Sequence, residues 1–444
     1  MSTEAMQVKD ASGSYLAKAA VQEVPPGYKR TEVGVIPEDW TACRLGDDGF
    51  VRRVGSGITP TGGQRVYKQS GRPFVRSQNV GWGRLLLDDL VFIDDDTHST
   101  FFASEIIVGD VLLNITGASI GRCAVATPVL ANGNVNQHVC EIRVEPAQLD
   151  QRFLCSFILS EIGQKQIDSF QAGGNRQGLN FGQIRSFLIP VPLLPEQRAI
   201  AEALSDVDGL LGALEALIAK KQAIKQAAMQ QLLTGKTRLP GFSGEWGELN
   251  MARDSVLKAR IGWQGLTTAE YLSSGDYFLV TGTDFVGGRV DWTTCHFVDR
   301  SRFIQDRNIQ LAVGDVLLTK DGTIGKAGFV DSLPGPATLN SGVFVIRPKA
   351  AAYVSIYMYY VLTSRIFDDF LARLQAGSTI SHLYQKDFVG FGFSAPHLAE
   401  QTAIATVLSD MDAEIAALER RRDKTRALKQ GMMQQLLTGR IRLI

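Results

Sequence analysis

The chain has 444 residues, 45% of them hydrophobic, and its 46 basic and 46 acidic side chains give a formal net charge of zero. The length predicts about three domains. The balanced charge excludes a uniformly basic surface, so binding to nucleic acid would require local basic clusters or a partner. No run reaches about 18 apolar residues and no signal pattern is present, which argues against membrane insertion and export. The five cysteines lack Cys-x-x-Cys spacing, and we expect buried, reduced thiols in a cytoplasmic protein.

A first globular body is predicted for residues 25–193, after a flexible N-terminal extension of residues 1–24. The body consists of short apolar runs and Gly-rich turns, a pattern typical of strands joined by loops. The apolar run 108–113 contains Gly-Asp and is followed by a polar loop, 114–122. A second polar loop, 173–177, lies near the end of the body. We expect both loops at the rim of a sheet.

A long spacer helix is predicted for residues 194–239. Pro195 suits a first helical turn, Glu196 favours the positive end of the helix dipole, and Gly235 stands where a left-handed stop is expected. With a rise of about 1.5 Å per residue, the stretch from Glu196 to Leu233 makes a helix about 57 Å long. Its apolar residues recur at steps of four and three, the spacing of a coiled-coil seam that requires a partner helix. The seam consists of Ile200, Leu204, Val207, Leu211 and Leu214.

The same organisation recurs in the second half of the chain. A second body is predicted for residues 240–397, with an apolar run at 313–318, a polar loop at 319–326 and a late polar loop at 377–382. The framework of these loops matches that of the first body, but their polar residues differ. We therefore expect one scaffold that presents two different binding surfaces.

A second spacer helix is predicted for residues 398–444. Without a gap, 194–239 and 398–443 are identical at 26 of 46 positions, including the shared segment MQQLLTG. So long a repeat indicates a tandem duplication. The second helix has three arginines at 420–422, where the first helix has Ala-Leu-Ile at 216–218. These arginines form either a solvated face or a surface for phosphate or an acidic partner. The second seam consists of Ile404, Leu408, Met411, Ile415 and Leu418.

Repetition constrains the arrangement of the helices. The first helix carries the chain from the first body to the second, and an equivalent second helix leaves the second body in the equivalent direction, back toward the first. We therefore expect an antiparallel coiled coil with pseudo-two-fold symmetry, and a C-terminus that returns near the start of the first body. The predicted fold class is α+β: a tandem duplication of two globular α/β domains separated by two long helices.

The sequence shows no motif for catalysis or metal binding. Residues 234–237 (TGKT) resemble the end of a phosphate-binding loop, but Gln230 stands where the first glycine is required. The five histidines lack metal-ligand spacing, and no Asn-Pro-Pro motif of a methyltransferase is present. The carboxylate runs 88–89 and 94–96 are interpreted as solvated turns rather than a two-metal site. We therefore predict no catalytic residues, no metal site and no cofactor in this chain.

Two variable bodies alternating with two repeated helices, each closing on MQQLLTG and a basic residue, resemble the specificity subunit of a type I restriction-modification system. The segment 193–200 (LLPEQRAI) matches the start of that family's conserved helix in all but spacing. The second copy departs from this pattern, with Ala399 in place of the proline. The resemblance covers about residues 25–444.

The resemblance implies a non-catalytic reader of double-stranded DNA. Each body would be a target recognition domain for one half of a split sequence. The helices would set the gap between the halves and dock two methyltransferase subunits, and restriction subunits with motor and nuclease activity would join them. S-adenosylmethionine, ATP and magnesium are expected in those partner subunits.

Polar side chains in the Gly-rich loops are the candidates for base contact, because Arg, Asn and Gln are the common readers of the major groove. The alternative for each is a solvated turn residue. The candidates are Arg76, Gln78, Asn79, Arg122, Asn175, Arg176 and Gln177 in the first body, and Arg289, Lys320, Lys326, Ser378, Thr379, Ser381 and His382 in the second.

Two other functions remain open from the sequence. One is a two-headed adaptor that binds proteins and uses the coiled coil as a spacer. The other is a standalone methyltransferase fused to a coiled coil, which the missing motifs disfavour.

Overall fold

The computed structural model describes residues 24–171, 178–262, 265–375 and 382–443. The chain forms two compact units. The first unit comprises Met1–Gly212 with Asp423–Ile444, and the second unit comprises Ala213–Arg422. Each unit therefore combines one body with a stretch of both long helices. Of the predicted N-terminal extension, residues 1–23 lie outside the described part of the chain.

In its described residues, the body of the first unit is built from short strands and four short helices, as the Gly-rich pattern predicts. The strands are β1 (Tyr28–Thr31), β2 (Gly34–Pro37), β3 (Thr41–Arg44), β4 (Val51–Ser56), β5 (Arg72–Val75), β6 (Val91–Ile93), β7 (Val111–Asn114), β8 (Cys123–Val125), β9 (Asn134–Val135), β10 (Val139–Val144) and β11 (Leu188–Val191). The helices are α1 (Asp95–Ser99), α2 (Gln151–Leu159), α3 (Glu161–Ser169) and α4 (Phe181–Arg185), and the chain then enters the long helix α5 (Leu194–Leu232).

The body of the second unit repeats this organisation. Its strands are β12 (Gly247–Asn250), β13 (Ser255–Ala259), β14 (Tyr277–Val280), β15 (Phe285–Val286), β16 (Arg289–Val290), β17 (His296–Val298), β18 (Val316–Thr319), β19 (Ala327–Phe329), β20 (Ala337–Leu339), β21 (Val343–Pro348) and β22 (Gly392–Ala395). Its helices are α6 (Met251–Asp254), α7 (Arg300–Ile304), α8 (Ser355–Leu362), α9 (Arg365–Gln375) and α10 (Gln385–Phe388), followed by the long helix α11 (Leu398–Leu436).

The sheets of the two units have matching strand orders. The order β4-β10-β7-β8 of the first unit corresponds to β13-β21-β18-β19 of the second, which β16 and β15 extend to six strands. The order β6-β5-β9 likewise corresponds to β17-β14-β20. The pairing register is also repeated, since Cys140 lies opposite Leu113 and Phe344 lies opposite Leu318. The structure therefore extends the internal repeat to the bodies, where the sequence repeat is weak.

Strands β7 and β18 begin later than their apolar runs predict, because the first residues of each run form a tight turn. Gly109 adopts a φ of 95° and Gly314 a φ of 93°, values open to glycine. The buried side chain of Asp110 accepts a hydrogen bond from the backbone N–H of Ile107 (2.8 Å), which closes the first turn. Arg143 then binds Asp110 through two hydrogen bonds of 2.8 Å.

The long helices contribute directly to the cores of the bodies. In the first unit, Ile200 and Leu204 of α5 belong to one buried cluster with Met433 and Leu436 of α11. In the second unit, the roles are exchanged. Buried residues there are Ile404 and Leu408 of α11 with Met229 and Leu232 of α5 and Leu233 directly after it. Of the remaining predicted seam residues, Leu214 and Ile415 are buried, and Val207, Leu211, Met411 and Leu418 are half-buried.

Within each unit, the stretches of α5 and α11 run antiparallel. In the first unit, Asp208 of α5 pairs with Lys429 of α11 (2.6 Å), while Glu196, a dozen residues earlier, binds Arg442 beyond the end of α11. In the second unit, Lys225 of α5 pairs with Asp412 of α11 (2.5 Å). The order of partners is reversed along the two helices, as the repetition predicts.

Each long helix is followed by a turn that contains a left-handed glycine, and then by an arginine that holds a buried glutamate. Gly235 and Gly439 have φ values of 69° and 68°, which confirms the left-handed stops. We name two groups: the first clasp is Glu196, Arg442 and Trp40, and the second clasp is Glu400, Arg238 and Trp246. In both, the guanidinium forms paired hydrogen bonds with the carboxylate and lies over the indole ring.

The first clasp brings the C-terminus to the start of the first body, as predicted. Arg442 also binds Asp39 through hydrogen bonds of 2.9 and 2.7 Å, and the hydroxyl of Tyr28 donates to the carbonyl of Gly439 (2.9 Å). The Trp40 indole donates to Glu196 (3.0 Å). The Trp246 indole N–H is buried and has no partner among the described residues. The two clasps therefore share a plan but differ in hydrogen bonding.

All five cysteines are free and buried, which confirms the interpretation as reduced thiols. Burial raises the pKa of the Cys43 thiol to about 12, so this thiol stays protonated near neutral pH. Within the described ranges, no helix combines the length and apolarity needed to cross a membrane.

Candidate nucleic-acid interface

In both units, the first polar loop that the sequence singles out is bridged to a described residue at the C-terminal end of the late loop or directly after it. In the first unit, Thr116 forms a backbone bridge with Gly178, and the N–H of Leu179 donates to the carbonyl of Ile115 (2.9 Å). In the second unit, Asp321 bridges His382, and Leu383 donates to Lys320 (2.8 Å). We call the loop 115–122 with Gly178 the first rim, and the loop 320–326 with His382 the second rim.

Six of the predicted base-contact residues lie outside the described part of the chain. They belong to the late loop of each body, whose end enters the rim at Gly178 or His382. Their roles stay predictions. These residues are Asn175, Arg176, Gln177, Ser378, Thr379 and Ser381.

The predicted residues Arg76, Gln78 and Asn79 converge on one carboxylate, that of Asp89. Arg76 donates to the Asp89 carbonyl (2.7 Å) and lies over the ring of Tyr67, and Gln78 donates to the Asp89 carboxylate. Asn79 is fully buried, and its amide donates to Asp89 (2.9 Å) and to the carbonyl of Leu86 (3.0 Å). Asp89 is exposed, as expected for a solvated turn, but it also organises this segment.

Asn79 cannot reach a base without unfolding its turn, because both ends of its amide are engaged. Its Oδ1 accepts from the N–H of Arg76 (3.0 Å). A buried amide that exchanged these bonds for a base would leave backbone groups unsatisfied. We therefore assign Asn79 to the scaffold. Arg76 and Gln78 retain partly accessible side chains.

Arg122 ends the loop of the first rim. Its side chain is half-buried, and its Nε is buried without a hydrogen-bond partner among the described residues. Asn114, at the start of the same loop, is fully buried and donates to the carbonyl of Ser77 (2.7 Å). The first rim is thereby attached to the segment that contains Arg76 and Gln78.

The structure adds a chain of hydrogen-bonded side chains that the sequence analysis missed. Thr59 donates to Gln137, the amide of Gln137 lies 3.1 Å from Nε2 of His138, and Nδ1 of His138 lies 2.7 Å from the hydroxyl of Thr116 in the first rim. A signal was available in the repeat. Gln137 and His138 stand inside a framework that both bodies share, where the second body has Ser341 and Gly342.

The predicted lysines of the second rim lie against aromatic rings. Lys320 lies 5.7 Å from the centre of the Phe344 ring, and Lys326 lies 5.9 Å from that of Phe285. Lys326 also donates to the carbonyl of Gly282 (3.2 Å). These contacts hold the lysine stems in place while their charges remain near the surface.

Arg289 lies in hairpin β15–β16 rather than in the rim loop. Its guanidinium lies over the rings of Phe329 (5.2 Å) and Tyr359 (5.1 Å), and its Nε pairs with Asp331 (3.2 Å). Arg289 is therefore engaged on several sides within its own unit. A base contact would require it to leave Asp331.

His382 of the second rim lies near a carboxylate and an exposed aromatic ring. Its Nδ1 is hydrogen-bonded to Asp321, and its ring lies 4.5 Å from that of Tyr384, which is 55% exposed. Lys386 lies 5.5 Å from the centre of the Tyr384 ring. Sequence reasoning missed both Tyr384 and Lys386. An exposed aromatic next to a lysine, just after the polar loop, was the available signal.

Two buried charged groups distinguish the units. In the first, burial raises the pKa of Glu141 to about 7, although Arg53 beside it acts in the opposite direction. In the second, burial lowers the pKa of Arg260, whose guanidinium donates to the carbonyl of Leu339 (2.8 Å) and the hydroxyl of Thr338 (3.2 Å). Over the described ranges, no group of three or more His, Cys, Asp or Glu side chains is arranged to hold a metal ion.

Comparison with known proteins identifies relatives over nearly the whole chain. Residues 95–226 and 266–425 match the family model of the type I restriction modification DNA specificity domain. The chain is 22% identical to the putative type I restriction enzyme MjaX specificity subunit of Methanocaldococcus jannaschii, over 94% of this chain and 97% of that protein. It is 21% identical to the type I restriction enzyme EcoBI specificity subunit of Escherichia coli, over 78% of this chain and 76% of that protein.

Solved structures share the fold. The S subunit of a type I restriction-modification system from M. genitalium superposes with a TM-score of 0.58 at 15% identity, covering 89% of this chain and 96% of that chain. A chain from a study of complex assembly in the type I R-M system superposes with a TM-score of 0.55 at 19% identity, covering 91% and 99%. These likenesses confirm the predicted class, α+β with two bodies and two long helices.

Proposed function

Since the chain belongs to the family of type I restriction-modification DNA specificity subunits, we propose that each of its bodies reads one half of a bipartite DNA target. The chain is a non-catalytic subunit, and it selects the sequence on which its partners act. The DNA specificity domain of the family supports DNA, rather than a protein, as the ligand of the bodies. A two-headed protein adaptor receives no such support.

The observation that carries this proposal is the recurrence of the rim with different polar side chains. An equivalent backbone bridge from the first polar loop is present in both units. Thr116 and Gly178 form it in the first unit, whereas Asp321 and His382 form it in the second. One framework that carries two different sets of hydrogen-bonding groups suits two different base sequences.

The side chains of each rim fit the chemistry of duplex DNA. In the first unit, we propose that Gln137, His138 and Arg122 contact base edges, because amide and guanidinium groups pair with adenine and guanine in the major groove. In the second unit, we propose His382 for a base edge, and Lys320 and Lys326 for phosphates, which position the duplex without reading sequence. Arg76 and Gln78 remain candidates at the margin of the first rim.

We further propose that the long helices set the gap between the half-sites and dock two methyltransferase subunits. The half-buried seam residues Val207, Leu211, Met411 and Leu418 leave apolar surface that partner helices can cover. Methyl transfer from S-adenosylmethionine would then occur in those subunits. Restriction subunits would supply the steps that require ATP and magnesium.

The experiment is an exchange of one body followed by methylome sequencing. Residues 60–185 are replaced by the matching segment of a related subunit, and the hybrid is expressed with its methyltransferase. We expect one half of the methylated sequence to change, while the other half and the gap stay constant. A change in both halves would contradict independent reading by two bodies.

A point variant tests the first rim more sharply. Gln137→Ala should reduce discrimination at one base pair of one half-site by about fivefold or more, because a bidentate contact contributes roughly 1–3 kcal/mol. Ser341→Ala, at the equivalent position of the second unit, is the matched control and should leave the first half-site unchanged. Unaltered preference in the Gln137 variant would remove this residue from the proposal.

A further inference from the structure

The first unit contains a groove between the last turns of α11 and the start of α3. Its volume is 740 Å³. The floor is formed by residues of α11, among them Ala427, Gln430 and Gln434, all exposed. The wall includes Glu161 and Lys165 of α3.

A smaller groove of 260 Å³ occupies the matching place in the second unit. Its floor includes Gln226 and Gln230 of α5, and its wall includes Ser364 and Arg365 at the start of α9. Gln226 corresponds to Gln430 in the sequence repeat. The duplication has therefore preserved the groove as well as the helices.

The residues of the long helices that line both grooves at equivalent positions are identical in the two copies: Gln226 and Gln430, Met229 and Met433, and Gln230 and Gln434. Met229 and Met433 also contribute to the floors, and their identity follows from their burial. Gln226 and Gln430 are exposed, and exposed positions of the same helices have diverged, such as Ala216 and its counterpart Arg420. Identity on an exposed surface in both copies indicates that the same partner surface contacts both floors.

The walls carry opposite charge patterns. In the first unit, Glu161 and Lys165 form an ion pair of 2.6 Å along α3. At the position equivalent to Glu161, the wall of the second groove has Arg365, so the charge at this position is reversed. A charged segment complementary to one wall would meet like charge on the other, which disfavours binding. A ligand that fits both grooves must therefore be uncharged where it faces the wall.

We propose that each groove receives the same uncharged segment of one methyltransferase subunit, held by amide and apolar contacts to the floor. This inference rests on the proposed function, and it specifies where and by what chemistry the partner docks. One chain then binds two identical partners although its bodies differ. The charge swap of the walls has no effect on docking, because the walls contribute shape rather than charge.

The test changes each floor separately and counts bound methyltransferase subunits by native mass spectrometry. Gln430→Glu with Gln434→Glu places two charges in the first groove, and Gln226→Glu with Gln230→Glu does so in the second. Each pair should weaken docking at its own groove by roughly tenfold or more, because the docked segment would remove the two carboxylates from water, and burying a charge is costly. Each variant should then bind one methyltransferase subunit, and the combined variant should bind none.

The matched control exchanges the charges of the first wall, Glu161→Arg with Lys165→Asp, which should leave two subunits bound. Two bound subunits in the combined floor variant would overturn the inference, as would the loss of one subunit in the wall variant. Binding by the unchanged chain separates the two levels of proposal. If the unchanged chain binds no methyltransferase, the proposed function fails. If every variant binds two subunits normally, only the assignment of the grooves as docking sites fails. Circular dichroism of each variant verifies that the helices are intact.

Discussion

Replacing Glu141 by Gln should stabilise the first unit above neutral pH and leave it unchanged in mild acid. Glu141 lies on the central strand β10 and is 0% exposed. It pairs with Arg53, while its Oε2 is buried without a hydrogen-bond partner in the described part of the chain. The matching residue of the second unit is Val345, which belongs to an apolar core. The first unit therefore holds a carboxylate where its counterpart holds a hydrocarbon.

The magnitude follows from the pKa of Glu141, which burial raises from 4.5 to about 7. Between these values, the folded protein retains a proton that the unfolded chain has released. The stabilising contribution of this proton is complete below pH 4.5 and is lost as the pH rises through about 7. The pKa of Glu141 therefore differs by about 2.5 between the folded and the unfolded protein, which corresponds to about 3 kcal/mol in the free energy of unfolding. Glutamine cannot ionise, so the variant avoids this loss.

The assay is differential scanning calorimetry of the unchanged chain and of Glu141→Gln between about pH 5 and pH 8.5. The unfolding temperatures should coincide near pH 5, and the variant should unfold several degrees higher at pH 8.5. Glu145→Gln is the control, because Arg52 lowers the pKa of Glu145 and the substitution should not stabilise at high pH. A difference between Glu141→Gln and the unchanged chain that is independent of pH would refute the argument. Destabilisation by Gln at pH 8.5 would show that the ion pair with Arg53 outweighs burial.

Three further predictions concern the helices. Arg442→Ala should destabilise the first unit by about 3 kcal/mol in calorimetry, because it leaves buried Glu196 without its cation. Arg238→Ala should destabilise the second unit in the same way, through Glu400. An unchanged unfolding temperature in either variant would contradict a stabilising role for that clasp. Leu204→Asp should cost several kcal/mol and abolish recovery of a folded chain, whereas Asp206→Asn, on the exposed side of the same turn, should be tolerated. Insertion of four helical residues both after Gly212 and after Arg422 adds about 6 Å to each helix. The gap in the methylated sequence should then lengthen by one base pair, and by two at most. An unchanged gap would show that the helices do not set it.

The choice of insertion sites after Gly212 and Arg422 depends on where the long helices end, which the sequence predicts only in part. The helix stops at Gly235 and Gly439 were predictable because a left-handed residue is a local property of the backbone. Thr234, which the repeat alone presents as part of the helix, lies beyond the last residue of α5, Leu232. An insertion after Thr234 would lengthen a turn instead of the spacer. Insertions where the chain passes between the two units leave each unit intact.

Most of the candidate site depends on contacts that local patterns do not contain. The sequence predicts polar loops at a sheet rim, and the structure bridges the first loop of each unit to Gly178 or His382. It does not predict that Asp89 engages Asn79, because that hydrogen bond forms only when the intervening turn has folded. Gln137 and His138 were missed for the same reason, since Thr59 and Thr116 reach them only through the tertiary fold.

The two units also show why such a duplication can acquire a second DNA sequence without losing its fold. The ion pair of buried Asp110 with half-buried Arg143 is retained as Asp315 with Arg347, with two hydrogen bonds of 2.6 Å in the second unit. Removing one member of such a pair leaves a buried charge, which costs several kcal/mol, so both copies keep it. Rim residues such as Thr323, whose side chain is exposed, carry no comparable constraint, because water can satisfy an exposed polar group. Substitution at the rim therefore changes the groups offered to DNA while the ion pair and the core beneath it stay in place.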